Sequence, residues 1–238
     1  MSLKKGLVLP VITLILSIVL FQDVYAATLV LQPDGAAGKD SAITMTLPDT
    51  NFGSSSNLVI NYSGPNHGLI EFDIAAIPTG SSITSASLEV LEETNCPHNL
   101  NAIEVHLNSA SWDEMTVTWN TTPAYGASIG TNSGETTGCD FLIFDVTSAI
   151  QDWVDGINPN YGFRLTGPGD SNVIKYIWSS DRSTAAERPI LRIDYEEGAA
   201  PPPTPPATPV PTMSAWGLGI LAGLFIIIGF RQRKQFFN

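Results

Sequence analysis

The sequence predicts an all-β fold, a jelly-roll-type two-sheet β-sandwich with one short helix. An N-terminal signal helix and a C-terminal transmembrane helix are expected outside it. Three observations carry this reading. Short runs of strand-forming residues recur from Ala27 to Tyr195, divided by turn clusters such as Pro33-Asp34-Gly35, Asn51-Phe52-Gly53 and Pro78-Thr79-Gly80. One amphipathic stretch interrupts them after Phe144, with Val146, Ile150, Trp153 and Val154 on one helical face. Apolar runs flanked by basic residues stand at both ends of the chain.

The N-terminal segment, 1–26, has the three parts of a secretory signal. Lys4 and Lys5 supply the charge, 6–21 is apolar, and Val24-Tyr25-Ala26 ends on small residues suited to cleavage after Ala26. The globular domain is expected over 27–197. Strands are predicted at 28–32, 42–46, 58–62, 69–74, 85–92, 103–108, 115–119, 141–146, 162–166, 174–178 and 190–195. In the segment 115–119, Met115, Val117 and Trp119 alternate with Thr116 and Thr118, the period of a half-buried strand, and Trp112 precedes them. The helix near 147–154 takes Thr147 as its expected N-cap, and Gly156 follows its end.

Charge narrows the partners. The 238 residues hold 11 Lys+Arg against 23 Asp+Glu, a formal net charge of −12. Between Asp40 and Gly162 there is no Lys or Arg. Phosphate binding needs a basic footprint, so nucleic acid is excluded as a partner. Later basic residues, Arg164, Lys175, Arg182, Arg188 and Arg192, could serve an anionic polymer only if they gathered on one patch.

Two cysteines, Cys96 and Cys139, both fall in the exported domain, and an oxidising compartment favours one disulfide between them. Closing that loop would stabilise the fold by about 4 kcal/mol on the chain-entropy model. Calcium is the one cofactor considered, in the acidic turn from Asp34 to Asp40, whose oxygen donors suit a hard cation. The spacing is not that of an EF-hand. For sugar, an exposed aromatic ring would act as a stacking platform. Tyr125, Tyr161 and Trp178 are the candidates, although Trp178 alternates with Tyr176 and Ile174 and so reads as core.

Catalysis is not expected. Glu71 and Asp73 stand two apart on one strand, about 6.6 Å by strand rise, a separation that suits an inverting glycosidase. One strand face offers no cleft for such chemistry. His67, His98 and His106 have no nucleophile at motif spacing.

Several motifs resemble the DNRLRE family of exported β-sandwich domains. They are Pro48-Asp49-Thr50-Asn51-Phe52-Gly53, Leu69-Ile70-Glu71-Phe72-Asp73 and Ile83-Thr84-Ser85-Ala86-Ser87-Leu88. Ser111-Trp112-Asp113-Glu114, Phe144-Asp145-Val146-Thr147 and Glu187-Arg188-Pro189 follow in order. The resemblance implies a non-catalytic, carbohydrate-binding-module-like domain on the cell surface. Some members are similar to alginate binders, but this chain lacks central basic residues. Glycan binding or adhesion in the extracellular matrix is the expected function, and a purely structural envelope protein without a soluble ligand is the alternative.

Beyond the domain, 198–212 is rich in proline and threonine, which extends at about 3.1 Å per residue. Val210, Pro211, Thr212, Met213, Ser214, Ala215, Trp216 and Gly217 then precede an apolar run and Arg231, Arg233 and Lys234. This tripartite tail over 213–238 resembles an IPTL-CTERM sorting signal of Gram-negative bacteria. It implies transit through the inner membrane and a sorting peptidase as partner, with a permanent anchor as the alternative.

Overall fold

A computed structural model describes residues 25–33, 38–61, 65–93, 102–132, 141–167 and 174–198. Within them the alternating runs form eleven strands. They are β1 (Ala26–Leu31), β2 (Gly38–Thr44), β3 (Asn57–Asn61), β4 (Asn66–Phe72), β5 (Ser82–Leu91) and β6 (Glu104–Asn108). β7 (Tyr125–Thr131), β8 (Phe141–Asp145), β9 (Phe163–Thr166), β10 (Ile174–Trp178) and β11 (Ile190–Glu196) complete the set.

The strands pair antiparallel into a four-stranded sheet, β1-β11-β5-β8, a five-stranded sheet, β2-β4-β9-β6-β7, and a ribbon, β10-β3. Set β2, β3 and β10 aside, and the four-stranded sheet takes the first, last, third and sixth of the remaining strands. The other takes the second, seventh, fourth and fifth, which is the jelly-roll order. The predicted fold class therefore holds.

Alternation builds the core. Leu88 and Val90 of β5, Leu191 and Ile193 of β11, and Leu142 and Phe144 of β8 point inward from one sheet. Ile70 and Phe72 of β4, Val105 of β6, and Phe163 and Leu165 of β9 meet them from the other. The ribbon adds Leu58, Ile60 and Ile177, and an isolated bridge from Ile177 to Glu92 ties it to the end of β5. Gly162, at φ +74, makes the entry to β9: a Cβ there would sit 2.4 Å from the Ile70 carbonyl oxygen.

Helix α1 (Thr147–Val154) buries Ala149, Ile150 and Trp153, and the Trp153 ring packs 4.9 Å from that of Phe163. Gln151 pins it to β5 by accepting the Ile83 N–H at 2.7 Å. Gly156 follows the helix at φ +69, as expected. Thr147 is not the N-cap. Val146 holds that position, and Thr147 is the first helical residue. Its hydroxyl accepts the Ala86 N–H at 2.9 Å and donates to Asp145 at 2.6 Å, so it joins helix to sheet instead.

Two further expectations need correction. Residues 115–119 form no strand, because their backbone closes turns: the Val117 N–H bonds the Asp113 carbonyl at 2.8 Å. The strand in this region is β7, which the sequence reading missed. On β10, Ile174 and Tyr176 are exposed rather than core, while Lys175 faces inward and is paired with buried Glu92. The signal segment up to residue 24, Asp34, Cys96, His98, Cys139, most of the linker and the tail lie outside the described residues. Ala26 opens β1 opposite Glu196. Among the described residues no helix is long and apolar enough to cross a membrane.

Candidate functional site

The outward face of the five-stranded sheet gathers the polar chemistry of the domain. On β4, β9 and β6 the residues between core positions are His67, Leu69 and Glu71, then Arg164 and Thr166, then Glu104, His106 and Asn108. Register sets Leu69 opposite Arg164 and Arg164 opposite His106. Such a row would normally be solvated. Here the segment 109–124 folds over half of it.

That loop is fastened from several sides. Trp112 and Val117 form a second apolar cluster with Ile43 and Leu69, and Trp119 packs against it. Asn51 donates from Nδ2 to the Glu114 carbonyl at 2.7 Å and to the Val117 carbonyl at 2.8 Å. Trp112 Nε1 donates to the Tyr161 carbonyl at 3.1 Å. Lys39 donates to the Trp112 carbonyl at 2.8 Å, lies 4.8 Å from the Trp112 ring centroid, and pairs with Glu71 at 3.2 Å.

Where the loop returns to the sheet, Arg164 is 3 % exposed and donates through Nη2 to the Thr122 hydroxyl and the Pro123 carbonyl. It has no carboxylate partner among the described residues. The Tyr125 ring covers it instead, its centroid 4.4 Å from Cζ. Burial draws the guanidinium down to about 10. The same ring meets His106 at 4.9 Å and His67 at 5.8 Å, both edge-on, and His67 meets Trp119 at 5.3 Å. His106 Nδ1 faces the Gly126 carbonyl at 3.0 Å, so in the neutral ring that nitrogen carries the proton. Its Nε2 then accepts the Thr166 hydroxyl at 3.0 Å. His67 is pushed down to about 4, by burial first and then by the charges of Arg164 and His106.

The result is a row of rings, Trp119, His67, Tyr125 and His106, laid over a buried cation. Tyr125 remains 42 % exposed, so one part of its surface is open to solvent while the rest is fixed from below. A ring held this way loses little side-chain freedom when a sugar stacks on it.

The aromatic residues singled out from sequence do not converge. Tyr125 belongs to this row. Tyr161 is half-buried and contributes its backbone carbonyl to Trp112 and Asn108. Trp178 is buried on the ribbon under Arg182, whose Cζ lies 3.7 Å from its centroid. His67 and Trp119 were not singled out as binding residues, and Arg164 only as one member of a possible basic patch. Their signals were present: His67 is in phase with Leu69 and Glu71, and Arg164 ends the long basic-free stretch.

Nor do the basic side chains gather. Lys39 pairs with Glu71, Lys175 with Glu92, Arg182 with Glu187, and Arg192 with Glu89 at 3.2 Å. Arg188 donates to the Arg182 carbonyl at 2.7 Å. Asp40 is 1 % exposed and accepts the Ser180 N–H at 2.6 Å, and burial raises its carboxyl to about 7. Glu71 and Asp73 do line a cleft, of about 530 Å³, contrary to expectation. In it Glu71 is engaged by Lys39, and Asp73 accepts the Ala75 N–H at 2.9 Å.

Comparison with known families joins these features to a lineage. The IPTL-CTERM motif matches residues 208–235, where the sorting tail was expected. No curated protein matches the chain. Carbohydrate-binding module family 96 matches residues 34–195, the sandwich from before β2 into β11 with β1 outside the match, and well over half of the sequence. The chain belongs to carbohydrate-binding module family 96.

Proposed function

We propose that the domain is a non-catalytic glycan-binding module that takes its ligand on the outward face of the five-stranded sheet. Tyr125 is the main stacking surface, and Trp119 extends it. The observation that carries this reading is the Tyr125 ring, open on one side and held by Arg164 and two histidines on the other. A purely structural envelope protein has no use for such a platform. With every basic side chain among the described residues engaged or buried, the ligand of this face is a neutral polymer, and its binding is insensitive to moderate salt.

The rest of the chain supports display outside the cell. In this reading the signal segment is cleaved after Ala26, Cys96 and Cys139 are bonded, and a sorting peptidase removes the tail after inner-membrane transit. The module then serves adhesion within the extracellular matrix.

The test is calorimetric titration of the full-length protein, in neutral detergent, with neutral polysaccharides and with alginate. Chelator is added in one arm, which tests calcium at Asp34 and Asp40. Tyr125→Ala is expected to weaken neutral-polymer binding about tenfold while the domain stays folded by circular dichroism, its unfolding temperature lowered by the lost cover on Arg164. Unaltered affinity would move the site elsewhere. Tight alginate binding in chelator that falls as salt rises would show that the basic residues form a site. Intact mass of the surface-extracted protein reads the three processing events at once. A retained segment 231–238 would leave only a simple anchor.

A further inference from the structure

A second concavity lies where the open edges of the two sheets approach each other. β7 ends the five-stranded sheet and β8 ends the four-stranded one. Gly130 brings them together: a Cβ there would sit 3.7 Å from the Asp145 carbonyl oxygen. Between β7 and the start of α1 runs a groove of about 310 Å³. Its floor is apolar, with Leu107, Val146 and Ala149, and Ile129 flanks it. Its polar lining consists of Thr131, Ser148, Asp145 and Asp152, with no Lys or Arg.

The two carboxylates keep capacity for a ligand. Asp145 receives the Thr147 N–H at 3.0 Å and the Thr147 hydroxyl at 2.6 Å, both on Oδ1, which leaves Oδ2 without a hydrogen bond among the described residues. Asp152 accepts Asn158 Nδ2 at 3.2 Å on Oδ2, which leaves Oδ1. The bonds from Thr147 hold Asp145 below the usual carboxylate range, so it stays ionised. The helix N-terminus beside it opposes a cation with about half a charge. Two full negative charges outweigh that.

We propose that this groove binds a glycan bearing free amino groups, an unacetylated hexosamine, with Asp145 and Asp152 holding the ammonium. The apolar floor takes the C–H face of the sugar ring, and Ser148 and Thr131 take its hydroxyls. A bare calcium ion fits poorly, since it asks for six to eight oxygens and much of this lining is hydrocarbon. The groove also lies at the lower end of the size range of small-ligand sites, which suits one sugar residue. The proposal shares with the platform reading only the premise that the domain takes sugar.

The experiment titrates the full-length protein with chitosan oligosaccharides and with their fully N-acetylated counterparts, at low and high salt. Free-amine oligomers are expected to bind more tightly, and raising salt to shrink the difference. The double variant Asp145→Asn, Asp152→Asn is expected to lose about tenfold in affinity for the amine form alone. Asn keeps the acceptor for Thr147, and Asp152→Asn by itself provides a variant that leaves that contact untouched. Tyr125→Ala separates the two readings: it weakens neutral polymers and leaves the amine preference intact. Equal binding of the amine and acetylated oligomers would overturn the proposal. So would a double variant that still prefers amines, or a lysine-rich peptide bound as tightly with the same sensitivity.

Discussion

The sandwich has two outward faces built on the same two-residue period, and they differ in everything else. On the four-stranded sheet Thr28, Asp194 and Ser85 form an open ladder, with hydrogen bonds of 2.6 Å and 2.9 Å to the Asp194 carboxylate. Those bonds hold Asp194 below its ordinary range, and water supplies the rest. On the five-stranded sheet the loop 109–124 takes the place of water. Its polar groups are desolvated, so His67 resists protonation; Asp40, in phase with core residue Ala42 and bonded by Ser180, is desolvated on the inward side and resists ionisation. The lesson is that a cover over half a sheet turns ordinary surface residues into tuned ones.

Removing the cover's anchor should produce the largest effect. Trp112 is 8 % exposed, and Trp112→Ala deletes the centre of the second cluster. The expected loss is about 4 kcal/mol by denaturant unfolding, together with loss of neutral-polymer binding. A loss no larger than a surface change would mean the loop is not held by packing.

Next in size are two titrations created by burial, His67 beneath the cover and Asp40 on the inward side of β2, and they run in opposite directions. Asp40 is raised to about 7, by burial first and further by Glu114 and Asp181, against the bond from Ser180. Between its unfolded value of 3.8 and about 7 the folded state binds the extra proton, so stability falls as pH rises through that window. Asp40→Asn keeps an acceptor for Ser180 and should stabilise the protein above pH 7 by up to about 4 kcal/mol. His67 is lowered from 6.5 to about 4, so its contribution is present above 6.5 and lost as pH falls toward 4. Thermal melts of Asp40→Asn and His67→Gln from acid to neutral pH separate the two slopes. Parallel curves for wild type and both variants would refute the desolvation argument.

The smallest effect belongs to the open face. Asp194→Asn should leave the melting temperature within experimental scatter, because water replaces what the carboxylate accepted. A large drop would erase the contrast between the faces.

Much of the sandwich was legible because its strands repeat apolar residues every second position between strong turns. The order of β4, β5, β9 and β11 came from that pattern, and the position of α1 from the helical spacing of Val146, Ile150, Trp153 and Val154. The loop was misread for the same reason: Met115, Val117 and Trp119 alternate as a strand would. Its apolar residues answer to the outside of a sheet already closed, and turn hydrogen bonds such as Thr116 N–H to Asp113, 3.3 Å, hold its backbone. β7 gave no signal, because its Tyr-Gly-Ala-Ser-Ile-Gly-Thr is exposed almost throughout and has no apolar period. Tyr125 was found through its turn context, but its partners come from β4, β6 and β9. Only the register brings those side chains together.

The pairing of β1 with β11 has a mechanical side. β11 is the last strand before the linker, and it lies between β1 and β5 with hydrogen bonds to both. A pull on the chain after Glu196 therefore acts along a strand clamped on its two edges. The antiparallel bonds lie across that direction, so both ladders are loaded in shear together instead of opening one bond at a time. A load applied through the C-terminal end would meet a strand that resists being peeled from either neighbour.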